Sequence, residues 1–106
     1  MINNDQKIYS LMGLATRAGK VVSGDNSTLL ELKRGNVHLV IVAGDASDNT
    51  KKLFKDKCAY RNINQIHFST KLQLGLAIGK APRAAMGIKD KNFASRLLEL
   101  IETNKI

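Results

Sequence analysis

Apolar residues along this chain fall at helical spacing in some stretches and in short unbroken or alternating runs in others, and the two patterns take turns. Ile8, Leu11, Met12 and Ala15 share one face of a first helix that ends near Ala18. Asn4 or Asp5 is placed to cap it and Gly19 to end it. Lys20-Val21-Val22-Ser23 reads as a short extended piece. Gly24-Asp25-Asn26-Ser27 reads as a turn rich in N-cap residues. A second helix follows, with Leu29, Leu32 and Leu30 as its buried stripe and Gly35 as its stop. His38-Leu39-Val40-Ile41-Val42-Ala43 shows no alternation, the pattern of a strand covered on both faces.

Asp45 to Asn49 offers several caps for a third helix ending near Asn62. Leu53, Phe54 and Cys58 form its inner stripe, and Lys51, Lys52, Lys55 and Lys57 lie mostly on the other side. Gln65-Ile66-His67-Phe68 alternates like a short strand. Ser69 or Thr70 caps a fourth helix through Ile78, with Leu72, Leu76 and Ala77 available to pack. A loop at Gly79-Lys80-Ala81-Pro82-Arg83 leads to a strand over Ala84-Ala85-Met86-Gly87-Ile88. Asp90-Lys91-Asn92 then opens a last helix whose face is Phe93, Ala94, Leu97, Leu98 and Ile101. Strands alternating with helices predict an α/β fold: a three-layer α/β/α sandwich around a parallel or mixed sheet of about four strands.

At 106 residues the chain has the length of one domain, residues 1–106, with no visible repeat or linker. Hydrophobic residues are 43% and charged residues 25%, with a single Pro, which excludes collagen and low-complexity or disordered classes. Charge changes the picture more. Lys and Arg number 17 against 9 Asp and Glu, a net +8 spread along the chain without a basic tail. The excess must therefore sit on a folded surface, which attracts a polyanion, most often nucleic acid; the bland alternative is a solubility surface. One cysteine excludes an internal disulfide and a multi-cysteine zinc site, and it fits a reducing compartment. The first residues are polar, and no apolar run approaches the ~20 needed to span a bilayer. The expected location is cytoplasmic, with no membrane partner.

Catalysis is the easiest reading to reject. His38 and His67 lie in separate predicted strands, where a lone histidine is more often packed or surface-exposed than a base. Cys58 falls on an apolar stripe and behaves there as a small hydrophobe. No His, Cys, Asp and Glu cluster has metal-ligand spacing. Gly13 to Gly19-Lys20 imitates a phosphate loop, but it has one residue too many. It also has Val21 where Ser or Thr would hold magnesium, and it runs from helix to strand instead of the reverse. The expectation is no enzyme, no metal and no cofactor.

Two segments carry more. Ser23-Gly24-Asp25-Asn26-Ser27-Thr28 stands where an extended piece enters a helix. Free backbone N–H groups at such a start can hold a phosphate or the acceptor edges of bases, and Asn26 offers both donor and acceptor. The same residues equally describe a plain capped helix. Gly79 to Arg83 joins small apolar residues to two cations in a loop stiffened by Pro82. An unstacked base could rest on it while Lys80 and Arg83 take phosphates; it is equally an ordinary basic turn. Aromatic residues are only 5%, so a base-stacking sheet face is not expected.

At these residues the chain resembles a known family, the YlxQ-type bacterial proteins. They are small members of the superfamily of archaeal and eukaryotic ribosomal proteins that bind kink-turns in RNA. The resemblance runs through Gly13-Leu14-Ala15-Thr16-Arg17-Ala18-Gly19-Lys20-Val21-Val22-Ser23-Gly24 and Gly44-Asp45-Ala46-Ser47-Asp48-Asn49-Thr50-Lys51-Lys52. It continues through Asp56-Lys57-Cys58, Leu74-Gly75, Ile78-Gly79-Lys80 and Asn92-Phe93-Ala94. It implies an α/β/α sandwich with a four-stranded mixed sheet. Kink-turns are sharply bent RNA helices with tandem sheared G·A pairs. Family members set the start of the second helix against those pairs and cover the extruded bases with the loop before the last strand.

Carried over by position, Gly24 and Asn26 match the family's Gly-x-Asn. Ser27 stands where the family usually has Glu, and Leu30 where a lysine is expected; Asp25, Ser27 and Lys33 are the candidate substitutes. The covering loop maps to Lys80, Ala81, Pro82 and Arg83, and the turn from Gly44 through Asp45 to Ser47 is placed to touch an extruded base. The implied function is non-catalytic binding of a kink-turn or similar bent RNA, in ribosomal or other non-coding RNA, by a protein taken as a monomer. The alternative, favoured by Ser27 and Leu30, is a protein-interaction module on the same fold with weakened or nonspecific RNA binding.

Overall fold

The computed structural model describes residues 5–103, so Asn4, one of the two candidate caps of the first helix, lies outside the described residues. The elements alternate as α1 (Asp5–Arg17), β1 (Val21–Ser23), α2 (Asp25–Lys33), β2 (Leu39–Val42), α3 (Asp48–Arg61), β3 (Asn64–His67), α4 (Lys71–Ala77), β4 (Ala85–Ile88) and α5 (Lys91–Thr103). The strands form a four-stranded mixed sheet in the order β1-β4-β2-β3. β2 and β3 are parallel, with Leu39 opposite Asn64, and β4 runs antiparallel to both β1 and β2. Every residue of β2 and β4 is buried, because these are the two central strands. β3 lies at an edge, and only Ile66 in it is buried. Position in the sheet thus explains why 39–42 is an unbroken apolar run while 64–67 alternates.

α1, α4 and α5 pack together on one face, and α2 and α3 pack together on the other, which completes an α/β/α sandwich. Ile8 and Met12 of α1, Leu74 of α4, and Leu97 and Ile101 of α5 supply the first helical layer. Leu32 of α2 and Phe54 of α3 supply the second, and both layers close on Leu39, Ile41, Met86 and Ile88. Each such side chain contributes roughly 1.5–3 kcal/mol on burial, which makes the sheet a firm base for its connecting turns.

Several expected packing residues turn outward. Leu30 is 49% exposed, because α2 buries Thr28 and Leu32, and a residue two positions from each lies on the opposite side of the helix. Leu72 and Leu76 are 56% and 62% exposed, because α4 turns Leu74 and Gly75 inward instead. Leu100 joins the buried face of α5, while Phe93 and Leu98 are only half-buried. The turn expected over Gly24 to Ser27 shrinks to Gly24 alone. The helix begins at Asp25, so Asn26 and Ser27 sit in its first turn.

The C-terminal ends of the first four helices follow one device. In α4, Gly79 N–H donates to the Leu76 carbonyl and Lys80 N–H to the Gly75 carbonyl at 2.8 Å, with Gly79 at φ +72°. This double closure needs a left-handed residue just past the helix, which glycine adopts at least cost. The same pair of bonds ends α1, α2 and α3, with Asn62 in the left-handed position after α3. No helix among the described residues is long and apolar enough to cross a membrane.

Candidate functional site

One end of the sheet, where β1 and β2 finish and β4 begins, gathers the starts of α2, α3 and α4 and the loop at 79–83. Four hydrogen bonds join them in a closed circuit. Arg83 Nε donates to Ser23 Oγ at 3.1 Å, which ties the loop to the residue before α2. Thr50 Oγ1 donates to Asp25 Oδ2 at 3.2 Å, which ties α2 to α3. Lys71 N–H donates to Asp45 Oδ1 at 2.8 Å, which ties the turn after β2 to α4. Arg83 N–H donates to the Lys71 carbonyl at 3.0 Å, which returns the path to the loop.

The helix starts at this edge are not alike. Ser47 Oγ accepts from Thr50 N–H in α3, and Thr70 Oγ1 accepts from Gln73 N–H in α4. Asp90 Oδ2 accepts from Phe93 N–H at the start of α5, at the other end of the sheet. The start of α2 has no side-chain cap. Its N-cap is Gly24, at φ 92° and ψ 152°, a conformation open to glycine and not to residues with a Cβ. Gly24 N–H is held by the Ala85 carbonyl at 3.0 Å, so this residue is fixed against β4. The first-turn N–H groups of α2 therefore have no side-chain oxygen to satisfy them, and they carry the positive end of the helix dipole. Asn26 and Ser27 are exposed beside them.

The loop is shaped by a close approach. A Cβ on Gly75 would lie 2.7 Å from the Ala81 carbonyl carbon and 2.9 Å from Lys80 O, so only glycine lets the loop cross α4 there. Lys80, Ala81 and Pro82 are exposed. Arg83 is half-buried, and its guanidinium also donates to the Ala81 and Pro82 carbonyls at 3.2 and 3.3 Å. Arg83 is thus committed to holding the loop's shape, and Lys80 is the loop's exposed charge. Gly44 N–H donates to the Ser69 carbonyl at 2.8 Å, which brings the turn at 44–47 against the start of α4.

Of the candidate residues, Gly24, Asp25, Asn26, Ser27, Asp45, Lys80, Ala81, Pro82 and Arg83 meet at this edge. Lys33 does not: it ends α2, about 12 Å along the axis from Asp25. Asp45 and Asp25 use their carboxylates within the circuit. Ser23, Thr50, Lys71 and Gly75 shape the edge, and sequence reasoning names none of them as a site residue. Ser23, Thr50 and Gly75 lie within the stretches that carry the family resemblance, which was a readable signal, and Lys71 left none.

His38 precedes β2 and His67 ends the parallel β3, so the two imidazoles stand at opposite ends of the sheet. Cys58 is buried, and burial pushes its thiol up to about 11, far from a ready thiolate. A groove of about 230 Å³ lined by His38, Asn62, Asn64, Lys91 and Ser95 holds neither a carboxylate nor a thiol. Among the described residues no group of three or more His, Cys, Asp or Glu side chains could hold a metal ion. The edge described above can bind an anion and hydrogen-bond polar edges.

Known proteins resemble this chain in sequence and fold. The chain is 41% identical over 99 residues to "RNA-binding protein YlxQ" of Enterococcus faecium, covering 93% of this chain and 95% of that one. It is 37% identical over 94 residues to the protein of the same name in Bacillus subtilis, covering 89% and 94%. A solved structure of a Bacillus halodurans protein of unknown function superposes with a TM-score of 0.88 at 38% identity, covering 91% of this chain and 97% of that one. Residues 6–98 match the ribosomal protein L7Ae/L30e/S12e/Gadd45 family. The chain therefore belongs to that family, as a YlxQ-type member.

Proposed function

We propose that this protein is a non-catalytic RNA-binding protein that recognises a kink-turn or a similarly bent structured RNA, ribosomal or other non-coding. It acts as a cytoplasmic monomer without metal or cofactor. The observation that carries the reading is the circuit through Ser23, Asp25, Asp45, Lys71 and Arg83, which seats the uncapped start of α2 beside the cationic loop. The names of the relatives support RNA as the ligand, and so does the net charge of +8.

Attraction to the phosphates comes first, and docking by shape follows. Gly24 lets the RNA approach the backbone. The first-turn N–H groups and Asn26 meet the edges of the G·A pairs, while Asp25 and Ser27 border them. Ala81 and Pro82 cover an extruded base, Lys80 takes phosphate, and Arg83 keeps the loop in place. Asp45 stands at the margin, next to the extruded base. A second reading, a protein-interaction surface on the same fold, is favoured by Leu30, 49% exposed where an RNA-contacting lysine is expected.

A gel-shift titration separates the two. The protein binds a kink-turn far more tightly than a straight duplex of equal length, and Asn26→Ala weakens the kink-turn complex by about tenfold or more, the worth of one base contact. Equal binding of both RNAs defeats specific recognition and favours the second reading.

A further inference from the structure

Lys33, which does not reach the edge, has neighbours of its own. β1 and β2 both run antiparallel to β4, so they point the same way, and α2 and α3, which follow them, start together. The bond between Asp25 and Thr50 fixes which flanks face each other. On α2 that flank continues through Leu29 to Lys33, and on α3 it continues through Lys57 to Arg61, by helical spacing. Lys57 and Arg61 are half-buried, as that flank requires, and Lys33 is exposed at the rim.

Helical spacing therefore sets three cations along the furrow between the facing flanks of α2 and α3, and Asp25, Asp56 and Glu31 of these helices do not answer them. Asp25 is bound by Thr50, Asp56 pairs with Lys52 at 2.9 Å, and Glu31 holds Arg34 and Asn36 on the far flank of α2. The hydrogen bond from Asn36 keeps the Glu31 carboxyl ionised below its usual range, so it stays committed there. Beside the furrow Tyr60 is 83% exposed, with the Arg61 guanidinium 5.2 Å from its ring centre. Neighbouring like charges with no ion pair among the described residues raise the cost of the empty furrow, and a phosphate backbone lowers it.

We infer that this furrow is a second RNA contact, in which Lys33, Lys57 and Arg61 take the sugar–phosphate backbone of the arm leaving the bend and Tyr60 flanks it. The inference rests on the proposed edge, because the furrow begins where that edge ends and runs away from it along α2. An RNA arm therefore reaches Lys33 only if it is long enough.

Arm length is the readout. Bent RNAs are titrated with an arm too short to reach Lys33 and with the same arm extended past it, against a straight duplex as reference. The unaltered protein binds the long-armed RNA more tightly. In Lys33→Gln/Lys57→Gln/Arg61→Gln that advantage disappears, the salt slope on the long-armed RNA falls by about two to three, and short-arm binding is unchanged. Lys33→Gln alone gives a smaller effect of the same kind and disturbs no packing, since its side chain is exposed. If the short-armed bent RNA binds no better than the duplex, the edge itself is misread. If it binds better but arm length has no effect, or the substitutions weaken both RNAs equally, the furrow inference alone is overturned. Displacement of nothing but an acidic polypeptide by these substitutions also overturns it.

Discussion

Arg83 Nε reaches Ser23 Oγ at 3.1 Å across a separation of 60 residues, and this bond joins the cationic loop to the start of α2. Arg83 also spans two carbonyls of its own loop, so one guanidinium fixes both the shape of the loop and its distance from Gly24. Ser23→Ala removes one such bond. We expect a loss of about 1 kcal/mol in stability and about a fivefold loss in affinity for bent RNA. Arg83→Lys does not restore the arrangement, because an ammonium lacks the planar fork that serves Ser23, Ala81 and Pro82 together. Thermal melts and gel-shift titrations of both variants check this; full affinity in Arg83→Lys contradicts it.

The two helical glycines at Gly13 and Gly75 respond oppositely to alanine. At Gly75 a methyl overlaps the Ala81 backbone, which cannot give way as a flexible side chain would. Gly75→Ala is expected to lose about 1–3 kcal/mol and to displace the loop, weakening RNA binding with it. At Gly13 a Cβ meets the Ala77 carbonyl at 3.4 Å and the Arg17 guanidinium at 4.0 Å, both ordinary contacts. Gly13→Ala is expected to gain about 0.5–1 kcal/mol from reduced backbone entropy in the unfolded chain. Denaturant titration measures both signs.

The Cys58 thiol sets a pH dependence at the alkaline end. Its folded value is about 11 against 9.0 for the free group, so between these values the unfolded chain loses its proton first. The folded state then holds more protons than the unfolded state, and stability falls as pH rises from about 9 towards 11. Below that window the thiol is neutral in both states and contributes no slope. Cys58→Ala removes this component of the alkaline decline, at a constant cost in packing. Chemical denaturation of both proteins at several pH values measures it; identical slopes contradict it.

Local pattern and long-range contact were not equally legible in the sequence. The elements were readable because burial on one or both sides prints directly on residues such as 39–42 and 64–67. Their boundaries moved by a residue or two where a single glycine, Gly24, did the work assigned to a four-residue turn. Leu72 and Leu76 misled, since nothing local tells that α4 must turn Gly75 inward to admit the loop. Asp45 is a cap, but for a helix 26 residues further on, whereas cap signals are read within one turn. The grouping of Gly24 to Ser27 with Lys80 to Arg83 came from the family resemblance, and the bonds that hold the two together involve Ser23, Thr50 and Lys71, none of which was read as a site residue.

The central claim is that the uncapped first turn of α2 and the Lys80 to Arg83 loop grip one bent RNA together. Backbone amide resonances followed while a kink-turn RNA is added test it residue by residue. The account predicts that the amides of Asp25, Asn26 and Ser27 shift together with those of Lys80 and Ala81, saturating at one equivalent, while a straight duplex of the same length moves them little. Shifts confined to other surfaces, or equal responses to the bent and straight RNAs, contradict it.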